Sequence, residues 1–214
     1  MNKKTTALMR LYSLLERTAA PWPVVCEKGC ASCCTTHVTM TTLEGQAILD
    51  YLFKAGDKPV PQNQGLGELF RPAITTNGLA RCCMERREPP VEQKPDHFNP
   101  CPFLEDNACT IYPVRPLGCR VMLSSKRCRA GGYAEMEDYW LTLNQVFLQA
   151  VEALDCPGKF GNMSLVLKFL DSGQEEEALL TNEPVPGLMI PREHQEDAGP
   201  VLAEINRILA GAMG

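Results

Sequence analysis

Eight of the eleven cysteines fall in two dense blocks. The first is Cys26-Glu-Lys-Gly-Cys30-Ala-Ser-Cys33-Cys34, and the second holds Cys101, Cys109, Cys119 and Cys128 around Arg115-Pro116 and Arg120. Thiolates are soft donors, and four of them in a tetrahedron suit zinc or the irons of an iron–sulfur cluster. In Cys30-x-x-Cys33 two intervening residues are enough for one turn to present two sulfurs to the same centre. Gly29 permits the backbone twist that aims them inward. Adjacent Cys33 and Cys34 tend to point apart, so they either serve different centres or divide into one ligand and one packed thiol. Eight thiols suffice for two four-sulfur sites.

A disulfide framework is the competing reading. Lys3, Lys4, Arg10, Glu16 and Arg17 interrupt the leucines of the first twenty residues, so no secretory apolar stretch is expected there. No run is long enough for a membrane span. The expected location is a reducing cytoplasm, where clustered cysteines act as ligands or redox groups. The adjacent pairs Cys33-Cys34 and Cys82-Cys83 also fit disulfide geometry poorly.

Other chemistries have weaker footing. The run Cys26-x3-Cys30-x2-Cys33 has the spacing that holds the cluster in radical S-adenosylmethionine enzymes. Three features oppose that version: no alternating strand–helix pattern, a chain of only 214 residues, and Ser32 where an aromatic is usual. His37 and His97 flank the two blocks and are candidates for mixed ligation, but eight thiols make a histidine ligand unnecessary. For both, an ordinary surface or hydrogen-bonding role is favoured, and His194 lies in a polar tail. Cys82 and Cys83 read as small apolar helix residues, and Cys156 as structural.

Arg115 and Arg120 bracket Cys119. They are either an anion or S-adenosylmethionine carboxylate clamp or, the favoured reading, structural arginines bonding loop carbonyls. The basic island Arg115, Arg120, Lys126, Arg127 and Arg129 is a solvated rim or charge compensation for thiolates. A second island is Arg81, Arg86 and Arg87. A net charge of −5 without a dense basic run argues against nucleic acid as a partner. No Gly-rich phosphate loop, Gly-x-Ser-x-Gly elbow or His-Glu-x-x-His helix is present, so hydrolase and nucleoside-triphosphate readings find no support.

The elements that must position these residues read as helical. At 44% apolar content the chain can bury a core without metal. Leu8, Leu11, Tyr12 and Leu15 predict a helix over 5–18, ended by Pro21 and Pro23. Thr42 predicts the N-cap of a helix to Lys54, closed by Gly56. A linker follows over 57–67, then a helix over 68–84 despite Pro72 and Gly78, then an extended connector over 88–100. Cys109 to Tyr112 is a candidate short strand. The longest helix is expected over 134–154, on the stripe Tyr139, Leu143, Val146, Phe147, Ala150, Val151 and Leu154. Shorter helices are expected over 164–170 and 200–212, and the acidic stretch 174–177 reads as a solvated face. The expected fold is mainly α: a helical single domain, residues 1–214, with an irregular cysteine-rich metal-binding lobe and at most short strands. The lobe spans 26–128 with a helical insertion at about 42–100, and 133–214 form a helical C-terminal part.

The ordered cysteines together with Cys101-Pro-Phe-Leu, Cys109-Thr-Ile-Tyr112, Arg115-Pro116 and Cys119-Arg120 resemble the bacterial CxxCxxCC cysteine-cluster family of zinc- or iron-chelating domains. The resemblance spans about residues 26–128. It implies metal binding, with Cys26, Cys30, Cys33, Cys34, Cys101, Cys109, Cys119 and Cys128 as ligands. Some relatives are linked to methylation of flagellin lysines, which implies a cluster working with S-adenosylmethionine and a protein or peptide substrate. Neither spacing nor composition identifies a methyl-donor site or peptide groove in this chain. The insertion with Cys82-Cys83 and the helical tail after Gly132 depart from the compact form of the family. The sequence therefore predicts a metal-binding protein carrying an iron–sulfur cluster, slightly favoured, or zinc. The bound metal would support a protein-modifying, methylase-like or redox activity. The alternatives are a zinc-stabilised scaffold without catalysis and a metal store or chaperone.

Overall fold

The computed structural model describes residues 2–27, 29–56, 68–93, 97–128, 133–174 and 176–213. The linker expected over 57–67, the middle of the connector at 94–96, and Lys28, Arg129 and Glu175 lie outside the described residues.

Helix α1, Lys3–Ala19, starts where the Asn2 side chain accepts the Lys4 N–H at 2.8 Å, and it buries Leu8, Leu11, Tyr12 and Leu15 at helical spacing. Strand β1, Thr39–Thr41, runs straight into helix α2, Thr42–Lys54. The cap of α2 is Thr41, one residue before the expected Thr42. Thr41 and Glu44 form a reciprocal capping box, and Gly56 follows the helix with φ +101°. Helix α3 covers only Thr76–Met84 of the expected 68–84. The ring of Pro72 cannot continue a helix, and the Thr75 side chain caps the segment that does form.

The candidate strand at 109–112 is instead a small hairpin. Strand β2, Leu104–Glu105, pairs with β3, Ala108–Cys109, across Asp106 and Asn107, both at positive φ, 47° and 59°. Two left-handed residues in a two-residue loop match the twist of the flanking strands, and Asp and Asn tolerate that conformation. A 3₁₀ turn over Tyr112–Val114 leads to the single-turn helix α4, Leu117–Arg120.

Helix α5, Asp138–Asp155, carries the predicted apolar stripe but starts four residues later than expected. Residues before it are taken up by Ser125 N–H donating to the Glu135 carbonyl, 2.9 Å, and Glu135 N–H donating to Ser124 Oγ, 3.0 Å. Strand β4, Lys159–Asn162, leads into α6, Met163–Ser172, which ends at Gly173 in the left-handed conformation. Within the acidic stretch, Glu176 pairs with Lys168 at 2.9 Å. Strand β5 is Leu180–Thr181, and α7 is Gln195–Met213. At 19 residues α7 is longer than the 18-residue α5, and it holds Pro200, where the sequence suggested its beginning. Strands β1, β4 and β5 form an antiparallel sheet in the order β1-β4-β5, with Met40 opposite Gly161 and Phe160 opposite Leu180.

Seven helices among the described residues and only short antiparallel strands make the fold mainly α, as expected. Its larger core lies between α1, α5 and α7 around Trp140 and Phe147, with α5 as the predicted spine. Burying a side chain such as Phe147 contributes roughly 1.5–3 kcal/mol. A smaller core gathers Met40, Phe103, Ile111, Met163 and Val166. Helix α2 serves both: Leu43 and Ala47 face the larger, Ile48 and Leu52 the smaller. Asp155, at the C-terminal end of α5, accepts Thr42 Oγ1 at 2.6 Å, Leu43 N–H at 3.0 Å and Asn182 Nδ2 at 2.9 Å, joining α5, α2 and the chain after β5. Among the described residues no helix is long and apolar enough to cross a membrane.

Candidate metal centre

The backbones of the two cysteine blocks lie against each other, fastened by hydrogen bonds in two places. Beyond α1, Pro21 and Pro23 keep the chain extended, so Val25 N–H reaches the Ser124 carbonyl at 2.9 Å. Ser124 N–H in turn donates to Cys26 Sγ at 3.3 Å, and Arg127 pairs with Glu27 at 3.1 Å. Gly29 then turns the chain at φ +92°, the twist expected of it, and Cys30 N–H donates to the Glu27 carbonyl. The second fastening joins 34–36 to 99–101. Cys101 N–H donates to the Cys34 carbonyl at 2.9 Å, Thr36 N–H to the Asn99 carbonyl at 2.8 Å, and Thr35 bridges Pro100.

The remaining ligand candidates are set by the hairpin and by α4. Cys109 lies opposite Leu104 in the β2–β3 pair, and Phe103 and Ile111 on either side sink into the smaller core. Cys119 sits on α4, pressed against β1: a Cβ on neighbouring Gly118 would lie 3.1 Å from the Thr39 carbonyl oxygen. Glu44 fixes the start of that turn. Its Oε1 accepts Leu117 N–H at 2.7 Å and Tyr12 Oη at 2.9 Å, and its Oε2 accepts Thr41 N–H at 2.9 Å and Thr41 Oγ1 at 3.0 Å. One buried carboxylate thus ties α1, β1, α2 and α4 together. Sequence reasoning missed this role, although the Thr41-x-x-Glu44 spacing was readable as a capping box.

Arg120 takes the structural role favoured for it. Its guanidinium donates to the carbonyls of Arg115, 2.9 Å, and Pro113, 2.7 Å, pairs with Glu16 at 2.5 Å, and lies over the Tyr12 ring. Only 4% of its side chain is exposed, whereas Glu16 is 58% exposed, so the carbonyl bonds carry the stabilisation and the ion pair adds little. Arg120→Ala is expected to cost about 3 kcal/mol in denaturant titration. Arg120→Lys should recover less than half of it, because an ammonium cannot reproduce the planar fork. Equal stability of all three proteins would refute this role.

The basic island divides by residue. Arg115 donates to the Tyr112 carbonyl at 2.8 Å and stacks on its ring, and its charge offsets only a small part of the burial that raises Cys109 and Cys119. Lys126 pairs with Glu135 and Arg127 with Glu27 on the exposed rim. In the other island Arg81 pairs with Glu183 and Arg87 with Glu85.

All eleven cysteines are free thiols. Burial pushes the Cys101 and Cys109 thiols up, and pushes Cys119 well up with the help of the nearby thiols of Cys101, Cys109 and Cys33. Cys26 is raised by burial and by Cys30, Cys33 and Cys128, against the Ser124 N–H that favours its thiolate. Cys33 and Cys34 depart from the expectation that they point apart. Cys34 N–H closes a turn onto the Ala31 carbonyl, and in a turn neighbouring side chains are not opposed as they are in a strand. The two thiols hydrogen-bond each other, which holds Cys33 down to about 6 and Cys34 far up.

The convergence is therefore one of backbone and of charge. Among the described residues no three His, Cys, Asp or Glu side chains are drawn together at metal-holding distance. The donor set nevertheless fits zinc or iron, being eight soft thiols on short segments whose backbones are fastened to one another. His37 packs edge-on to Phe70 and stacks on Phe98, with ring centroids at 4.2 and 4.3 Å, and His97 is exposed. His194, read in the sequence as part of a polar tail, contacts Thr142 Oγ1 at 2.8 Å and packs on Tyr139. Cys82 is buried on α3 as expected, but Cys83 beside it is exposed. Cys156 ends α5, its thiol against the Asn182 carbonyl at 3.5 Å.

No curated protein and no solved structure matches the chain. The family model CxxCxxCC, described as "Putative zinc- or iron-chelating domain", matches residues 25–143, more than half of the 214 residues and inclusive of all eight clustered cysteines. On that match the chain belongs to the CxxCxxCC family.

Proposed function

We propose that Cys26, Cys30, Cys33, Cys34, Cys101, Cys109, Cys119 and Cys128 bind iron, as an iron–sulfur cluster, in preference to zinc. The observation that carries this reading is the fastening of 34–36 to 99–101 and of 25–27 to 124–127, which supports a shared role for two blocks far apart in sequence. Zinc and an iron–sulfur cluster each take four thiolates, so the preference for a cluster rests on the dense thiols with the cation of Arg115 beside them. A bound cluster would supply electron transfer or radical initiation, and the chain's own residues would hold it at the surface, within reach of a protein or peptide to be modified. A reducing cytoplasm is part of this reading, and eleven free thiols support it. The alternative is a zinc-stabilised scaffold, which the tight bracing of α4 by Glu44 and Arg120 favours.

Metal analysis of anaerobically purified protein with its absorption spectrum separates them. The expected result is bound iron with visible charge-transfer absorption. A colourless protein with stoichiometric zinc would establish the scaffold instead, and a protein without tightly held metal would end both.

A further inference from the structure

We infer that the eight cysteines form two metal sites: an outer one of Cys26, Cys30, Cys33 and Cys128, and an inner one of Cys34, Cys101, Cys109 and Cys119, with the seam at the Cys33–Cys34 peptide bond. This inference rests on the metal-binding reading above and deepens it.

Two observations divide the thiols along the same line. The first is the fastening itself, which uses separate partners. Residues 25–27 are held to 124–127, whereas 34–36 are held to 99–101, so the first block touches two different stretches of the second, one on each side of its own turn. Cys128 is thereby brought to Cys26, and Cys101 to Cys34.

The second is depth. Cys26, Cys30 and Cys33 are exposed, while Cys34, Cys101, Cys109 and Cys119 are half-buried, as is Cys128, which the fastening of 124–127 places beside Cys26. Cys101 and Cys109 pack against the smaller core beside Phe103 and Ile111, and Cys119 is held by α4. Four thiols backed by the core and three open to water do not share one environment.

Each set then holds four thiols, the number that completes a tetrahedral zinc or one iron–sulfur cluster.

The two sites differ in access, so they should empty in order. Anaerobic, metal-loaded full-length protein is treated with a chelator together with iodoacetamide, and alkylation is mapped by peptide mass spectrometry while metal release is followed. Cys26, Cys30, Cys33 and Cys128 are expected to be alkylated in a first phase that releases about half the metal, with Cys34, Cys101, Cys109 and Cys119 still protected. Cys30→Ser, at an exposed turn, should be purified with about half the metal and an unchanged inner phase. Release in one phase that opens all eight thiols together, or loss of all metal from Cys30→Ser, would overturn the division while leaving metal binding intact. Full metal in Cys30→Ser would overturn the outer set. A wild-type protein without metal would remove the metal-binding reading itself.

Discussion

Cys119→Ala is expected to strip the inner thiols of their metal and to unfasten residues 99–121, while the helical core stays folded. A metal bound in the folded state and not in the unfolded one contributes its binding energy to folding, roughly 10–16 kcal/mol for structural zinc in small domains. Removing one of four thiolates should weaken affinity by more than the roughly 10–100-fold that follows loss of a hydrogen-bonded neighbour of a ligand. The damage should remain local, because α1, α5 and α7 close their own core around Trp140 and Phe147. Hydrogen exchange on the metal-loaded proteins reads both effects. Protection should fall across β2, β3 and α4 and persist along α5. Retained metal with unchanged exchange at 99–121 would take Cys119 out of the ligand set.

Glu44→Ala should be the most destabilising substitution outside the cysteines, by about 3–5 kcal/mol at neutral pH. Glu44 is only 2% exposed, and its loss strands the donors of Tyr12, Thr41 and Leu117 in the interior. Glu44→Gln keeps the shape and can keep the capping box, but its single amide oxygen cannot accept from both Thr41 N–H and Leu117 N–H, at about 1–2 kcal/mol. The pH dependence has a definite sign. Burial raises the Glu44 pKa above its ordinary 4.5, so the folded state favours the protonated carboxyl. Its contribution is complete below 4.5 and is lost as pH rises through the raised folded value. The stability advantage of wild type over Glu44→Gln, measured by denaturation of the metal-free, reduced proteins, should therefore shrink as pH climbs from 4.5 toward neutrality. An advantage that grows over this window would mean that the hydrogen bonds to Glu44 outweigh its burial.

What the sequence made legible was local. The stripe from Tyr139 to Leu154 named the spine of the core because an α-helix repeats every 3.6 residues whatever its neighbours are. The density of Cys26 to Cys34 pointed to the zinc- or iron-chelating family for a similar reason, since the chemistry resides in the residue type and its spacing. Boundaries set by partners were not legible. The start of α5 slid to Asp138 because Ser124 and Ser125 hold Glu135, and those contacts join stretches that sequence treats as separate. Asp106-Asn107 was a readable hairpin signal that the strand reading of Cys109 to Tyr112 passed over. Nothing in the order of residues marks Glu44 as the acid that is buried, or Cys34 as the thiol that faces Cys101. Both facts depend on where other segments arrive.

The pairing of α1 with α7 bears on how the protein is made. Synthesis runs from the amino end, so α1 leaves the ribosome long before the nineteen residues that will cover it. Every clustered thiol has emerged by then as well. The order of synthesis thus leaves an interval in which metal can reach the thiols before the core closes.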